Sequence, residues 1–598
     1  ATTLTQAAAQ MGHPGFAQSL LEWLEERGLA TEEERRILAA YIGSSGVPAA
    51  LRARLPLVEP AAESPWRFEF DTALKQARDW RLLKALTTLR SLKGVAGESP
   101  ELFTNIAILC EALARPMEAA EAWLTLAKLP GVSADEAIEA TARAIALETE
   151  ANPDRSPRIR YATRIAPLSL PVGEEGTTAI ELLEDKLRHN PACEQVDFDR
   201  SQWVARNAAP PRSAWRVYEQ AAEPAGSLPR LLGSLLIFGR QTDREPEAVL
   251  QGLEPDLAAA TAVVGPTLGC TFQPDAAEAE MPSVAPTQWL LGTRFKQELP
   301  GGPPPVAAGE PAFIDAMLDR QRQAVCGRLV ALWPDLPLPE LLGKTPRQAI
   351  ADPEGRRRVE ALILEGETTA RRQDLRAAWA QLRESLGLPA AGVIESTEPL
   401  GSLPPLRWHR LDLAQVPTQQ LRGLFLLALD AGFERAAEQA GAALLGRADA
   451  IPEDRWEVLW AQLQTSEATL HSLELIARLR SLAKELHAND GMLDVFEFRV
   501  RMQRGDEADA SRLLDHLRRE HGRDERVLEA LAEVLAEAGV DLRGMAAAAA
   551  GGPAGVGGVA GGGSPRPAAA PPAAAGKLWT PGSEPAAGGG EKKIWTPG

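Results

Sequence analysis

The chain has 598 residues, 45% hydrophobic and 24% charged, a globular composition longer than one hydrophobic core normally serves, so about three or four domains are expected. A formal charge of −18 argues against a general nucleic-acid binder, because neutralising phosphates takes clustered Lys and Arg, although it leaves room for a local basic patch. The widely spaced Cys110, Cys193, Cys270 and Cys326 form no CxxC, which excludes a disulfide framework and a cysteine zinc site.

Residues 1–60 read as an N-terminal helical hairpin. Phe16, Leu20, Leu21, Trp23 and Leu24 keep a helical spacing, Gly28 is placed to end the first helix, and Thr31 followed by Glu32, Glu33 and Glu34 opens the second. Residues 66–152 read as helix pairs of roughly 30–35 residues each. In the clearest pair, Ser99–Ala114 and Pro116–Leu129, Leu102, Ile106, Leu109 and Leu113 can face Ala119, Ala122, Trp123 and Leu126. This pattern loosely resembles a tetratricopeptide repeat, a resemblance that implies a stacked helix-turn-helix architecture.

Residues 158–300 read as a small α+β domain. Strands are expected over Arg158–Leu170, Trp215–Tyr218, Leu231–Phe238 and Glu247–Leu253, with helices near 177–189 and 255–264. Gly301-Gly302-Pro303-Pro304-Pro305 is a linker by composition. Residues 311–388 return to helix, and residues 400–543 form C-terminal helical repeats, with one amphipathic stretch over Arg422–Leu445 and a last pair at Ala508–His521 and Arg523–Ala538. Residues 544–598, mostly Ala, Gly and Pro, cannot bury enough surface to fold and are expected to be disordered. The fold class is therefore mainly α: solenoid-like helical-repeat arrays flanking a small α+β domain, with a disordered C-terminal tail.

Chemical motifs are sparse. Gly343-Lys344-Thr345 is no phosphate loop, since Leu338 stands where a glycine is needed. The seven histidines include no HExxH and no i,i+4 pair. The five-residue spacing of His516 and His521 puts them on different faces of a helix, so no metal ligands are expected. Glu25-Glu26 and Glu32-Glu33-Glu34 read as helix-end charges. No catalytic residues and no cofactor are expected, and the chain does not read as an enzyme. Gly239–Glu245 reads as a solvated turn, with a sharper reading as a recognition loop through Arg240 and Arg244. No long apolar span occurs and Ala1-Thr2-Thr3-Leu4 opens no signal-peptide pattern, so a cytoplasmic location is expected.

Leu341-Leu342-Gly343-Lys344-Thr345-Pro346 and the turn Asp352-Pro353-Glu354-Gly355 lie within residues 333–365. This segment resembles the C-terminal toxin-binding module of bacterial ParS-type antitoxins, and the resemblance implies a regulatory role in a toxin-antitoxin pair. In physical terms Gly343 supplies a permissive turn, while Thr345-Pro346 and Asp352-Pro353 each start a helix.

One hexapeptide is written twice near the C-terminus, Lys577-Leu578-Trp579-Thr580-Pro581-Gly582 and Lys593-Ile594-Trp595-Thr596-Pro597-Gly598. In each a cation precedes an aliphatic residue and a Trp, and the proline stiffens an extended conformer, lowering the entropy cost of docking the indole. Sixteen positions separate Trp579 from Trp595, enough flexible chain to reach two sites and gain from bivalency. The expected function is a protein-protein interaction adaptor that docks on a protein partner through Lys577, Leu578, Trp579, Thr580, Pro581, Lys593, Ile594, Trp595, Thr596 and Pro597. A toxin-antitoxin regulator and a cargo or scaffold component of a protein shell, targeted by the tail, are the alternatives.

Overall fold

The computed structural model describes residues 13–42, 47–53, 55–169, 176–205, 209–220, 228–240, 245–275, 282–296, 313–395 and 403–537. The Gly301–Pro305 linker, Arg244 and the whole tail with both hexapeptides lie outside the described residues.

The first helical array comprises α1 (Pro14–Glu26), α2 (Glu32–Ile42), α3 (Arg67–Arg78), α4 (Leu82–Ser91), α5 (Pro100–Ala112), α6 (Pro116–Leu126) and α7 (Ala134–Ala151). Its boundaries follow the local chemistry. Gly28, at φ +64°, lets the chain turn after α1, and Thr31 and Glu34 then close a reciprocal capping box, backbone N–H to carboxylate at 2.8 Å and backbone N–H to hydroxyl at 3.2 Å. Ser133 and Glu136 do the same for α7. Leu102, Ile106 and Leu109 of α5 share one core with Ala119, Ala122, Trp123 and Leu126 of α6, as their spacing predicts. Each such Leu or Ile contributes about 1.5–3 kcal/mol of burial, and the facing alanines permit the close approach.

The sheet domain holds β1 (Ile159–Pro167), α8 (Gly176–His189), β2 (Cys193–Val196), β3 (Ser213–Tyr218), β4 (Leu231–Phe238), β5 (Glu247–Leu253), α9 (Glu254–Leu268), β6 (Gln273–Pro274) and β7 (Ser283–Val284). The strands run β2-β3-β4-β5-β1-β6, all pairings antiparallel, with β7 beside β1. Alternation sends Trp215 and Val217 of β3 into a core with Leu187 of α8 and Leu257 and Val264 of α9. It sends Ala214 to the other face, with Leu236, Phe238, Val249 and Trp203. The four expected strands are present. The edge strand β2 was not anticipated, because four residues are too few to show alternation.

The remainder is helical: α10 (Phe313–Leu332), α11 (Pro353–Thr369), α12 (Gln373–Ser385), then α13 (Thr418–Asp430), α14 (Glu434–Leu445), α15 (Pro452–Thr465), α16 (Thr469–Leu486), α17 (Gly491–Arg504), α18 (Glu507–Glu520) and α19 (Glu525–Glu537). The amphipathic stretch over Arg422–Leu445 is two helices and not one, because the backbone reverses through Gly432 at φ +68°.

The two helical arrays flank the sheet domain in the chain yet share one hydrophobic core in space. Phe70, Leu86, Leu102 and Leu147 from the first pack in one cluster with Leu364, Leu421, Phe425 and Phe433 from the second. Bidentate ion pairs stitch the junction. Arg407 grips Glu139 at 2.6 and 2.9 Å, Arg410 grips Asp135 at 3.1 and 3.0 Å, and Arg358 grips Glu148 at 3.0 Å twice. The sheet domain is thus an excursion between α7 and α10. Among the described residues no helix is long and apolar enough to cross a membrane.

Candidate functional site: an arginine-lined concavity

Helices α11, α12 and α14 and the short 3-10 segment Pro405–Arg410 surround a cavity of about 740 Å³. Four arginines and two glutamates line it, and three of the arginines are paired to carboxylates. Arg383 on α12 holds Glu367 on α11 through two bonds of 3.0 and 2.8 Å, and both side chains are buried. Arg410 is committed to Asp135, and Arg376 to Glu438 at 2.5 Å.

Arg435 differs. Its guanidinium reaches the Glu367 carbonyl at 3.4 Å, and no carboxylate lies within ion-pair distance of it among the described residues. Burial lowers its pKa, the charges of Glu367 and Glu438 oppose that shift, and Arg376 adds to it. A half-buried, uncommitted guanidinium is a strong acceptor of a carboxylate or phosphate, because its planar fork can bind two oxygens at once.

His409 lies against the same cavity at 4% exposure, and neither ring nitrogen has a hydrogen-bond partner among the described residues. Burial, then Arg435, Arg410 and Arg383, push its pKa down to about 3. The imidazole is therefore neutral, offering one donor and one acceptor. Leaving a buried polar group unsatisfied costs about 1–3 kcal/mol, which an incoming polar ligand would recover.

Across α12 and α14 the wall continues into a second concavity of about 770 Å³ that shares Arg376. Its floor is apolar, with Phe425, Leu429 and Val458, and its rim is charged, with Arg322, Arg371 and Arg372 each paired to a carboxylate. An apolar floor with a polar rim is the anatomy of a protein-interaction groove. Arg435 and the neutral His409 both offer hydrogen-bond donors that an anionic group can accept.

Of the site candidates singled out in the sequence, those among the described residues do not lie in this groove. The tail residues Lys577, Leu578, Trp579, Thr580, Pro581, Lys593, Ile594, Trp595, Thr596 and Pro597 are outside the described residues. Leu342 and Gly343 both adopt positive φ, Lys344 pairs with Asp352 at 3.1 Å, and Thr345 and Asp352 cap the helices they precede. That segment is a capped connector leading into α11. Arg240 turns back to Glu245 at 2.9 Å. His516 and His521, expected on different helix faces, lie with ring centroids 5.7 Å apart, because His521 has already left α18. Sequence reasoning also missed Arg383, His409 and Arg435. The available signal was the arginine density from Arg371 to Arg383, which reads equally well as a solvated helix face. No family model, curated protein or solved structure matches the chain.

Proposed function

We propose that the chain is a protein-protein interaction adaptor with two chemically opposite contacts. The helical body takes an acidic segment of one partner in the arginine-lined groove, and the duplicated Lys-[Leu/Ile]-Trp-Thr-Pro-Gly peptides dock on a second. The observation that carries this reading is Arg435, half-buried and without a carboxylate, beside the unpartnered His409. The tail is a poor occupant for that groove, since Lys577, Lys592 and Lys593 carry the same sign as its arginines. This supports a tail that works in trans.

Two measurements test the two contacts separately. A fluorescent Glu/Asp-rich decamer is titrated with the intact chain and with Arg435→Ala, read by anisotropy. Loss of one charge-assisted contact predicts about tenfold weaker binding, and binding that weakens with salt. Equal affinity for both proteins removes the groove from the reading. For the tail, capture from a lysate is compared between the intact chain and Trp579→Ala/Trp595→Ala. Loss of one specific partner supports the tail contact. Retention of every partner, with loss instead on changes at Leu342–Pro346, replaces it with the antitoxin-type reading.

A further inference from the structure

The last repeat holds a cluster that neither the groove nor the tail explains. Asp494 lies on α17 and is 3% exposed. Its Oδ1 accepts from Arg480 at 2.6 Å, while Oδ2 is buried with no hydrogen-bond donor among the described residues. Two imidazoles converge on that bare oxygen, His516 Nε2 at 3.3 Å and His521 Nε2 at 3.6 Å. Asp490, one turn before Asp494, places Oδ1 3.8 Å from His521 Nε2.

Local sequence builds this convergence. His516 sits in the last turns of α18, and His521 follows the helix at φ −116°, so its ring swings back toward α17. Gly491 makes room for it: a Cβ there would meet His521 Nδ1 at 2.8 Å and Val527 Cγ2 at 2.9 Å. The rings lie at 76° to one another, edge toward face, and the ligand atoms of Asp494, His516 and His521 all fall within 4.8 Å of each other.

The distances discriminate between two explanations. A protonated imidazole donating to a carboxylate closes to about 2.7–2.9 Å. Both histidines stand further off than that. Ligands bound at about 2.0–2.1 Å around a tetrahedral zinc ion are instead separated by roughly 3.3–3.4 Å along each edge of the tetrahedron. His516 meets that spacing at 3.3 Å, and His521, at 3.6 Å from Asp494 and 3.8 Å from Asp490, reaches it by a small inward shift. We propose that Asp494, His516 and His521, with Asp490 at the half-exposed fourth position, bind one zinc ion. Two imidazoles select a borderline metal over Mg²⁺ or Ca²⁺, which prefer oxygen ligands alone. Arg480 orients the Asp494 carboxylate from outside, and Glu497, paired to it, offsets its charge. The ion ties α17 to the end of α18, so it clips together the repeat that directly precedes residues 538–598. This inference is independent of the groove and tail.

The test uses the full chain, stripped with a chelator and titrated with zinc chloride by calorimetry, alongside His516→Gln, His521→Gln and the control His487→Gln. One zinc per chain is expected for the intact protein and the control, with a rise in melting temperature, and both are lost in H516Q and H521Q. Magnesium and calcium chloride should give no heat. A second readout covers variants that fail to fold: Co²⁺ added to the intact chain should give the intense visible bands of a tetrahedral ligand field. The proposal is overturned if the intact chain takes up no zinc at micromolar concentration, if H516Q and H521Q bind it undiminished, or if cobalt stays in its weak octahedral spectrum.

Discussion

The pH response of His409 tests whether the arginine wall is packed as described. A free histidine titrates near 6.5, and in the fold burial first, then Arg435 from α14, Arg410 beside it and Arg383 from α12, push the value down to about 3; Glu367 on α11 is the facing carboxylate and is held by Arg383. Between those two values the unfolded chain takes up a proton that the folded chain refuses. Stability from this group is therefore full above about pH 6.5 and falls as the pH drops toward 3. At 1.36 kcal/mol per pH unit, moving from 6.5 to 5 costs about 2 kcal/mol. Carboxyls that burial raises, Glu139 and Glu434 among them, act in the opposite sense, since the folded chain binds their protons first. They are the same in a variant, so the difference between proteins isolates His409. Phe replaces the ring with one of similar size that cannot titrate. Guanidinium unfolding followed by Trp fluorescence at about pH 7 and pH 5 should show the intact chain losing about 2 kcal/mol more than His409→Phe. Equal losses would refute the buried, neutral imidazole, and with it the description of this cavity.

Three further outcomes follow from the packing. Gly366→Ala places a Cβ 2.3 Å from Trp379 Cε2, and Trp379 is itself set edge-on against Trp333 with centroids 5.5 Å apart. Overpacking of about 1–3 kcal/mol should outweigh the roughly 1 kcal/mol gain in helix propensity, lowering the melting temperature. Glu111→Ala strands the buried Arg143, which it holds at 2.7 Å through both oxygens, and also frees Trp123 Nε1; a loss of about 3–5 kcal/mol is expected in chemical denaturation. The double change Arg407→Ala/Arg410→Ala cuts two of the ion pairs between the arrays and leaves Arg358–Glu148. Hydrogen exchange in α7 should accelerate by about tenfold, while exchange in β3 and β4 stays unchanged.

Local elements were legible wherever chemistry is written at short range. Thr31 with Glu34, Ser99 before Pro100, and Thr345 before Pro346 announce helix starts because a cap is satisfied within three residues. Leu231–Phe238 and Glu247–Leu253 read as strands, although their partners could not be named in advance. The composition also foretold a mainly helical chain around one small sheet, since periodicity and propensity act within a few residues. The division at Gly432 was missed because a continuous amphipathic pattern can conceal a single reversing glycine.

Long-range geometry lay beyond that reach. Arg407 meets Glu139 across 268 positions, and nothing in either segment specifies the other. The packing of parts of the two arrays into one shared core follows from which apolar faces remain to be covered once every hairpin has formed. Arg435 became notable when tertiary packing assigned carboxylates to Arg376, Arg383 and Arg410 and, among the described residues, none within ion-pair distance to it. His516 and His521 looked divergent because helical spacing was extended one residue past the end of α18. A side chain's chemistry belongs to the sequence, but its neighbours, and therefore its charge state and its use, are set by contacts that close only when distant segments pack.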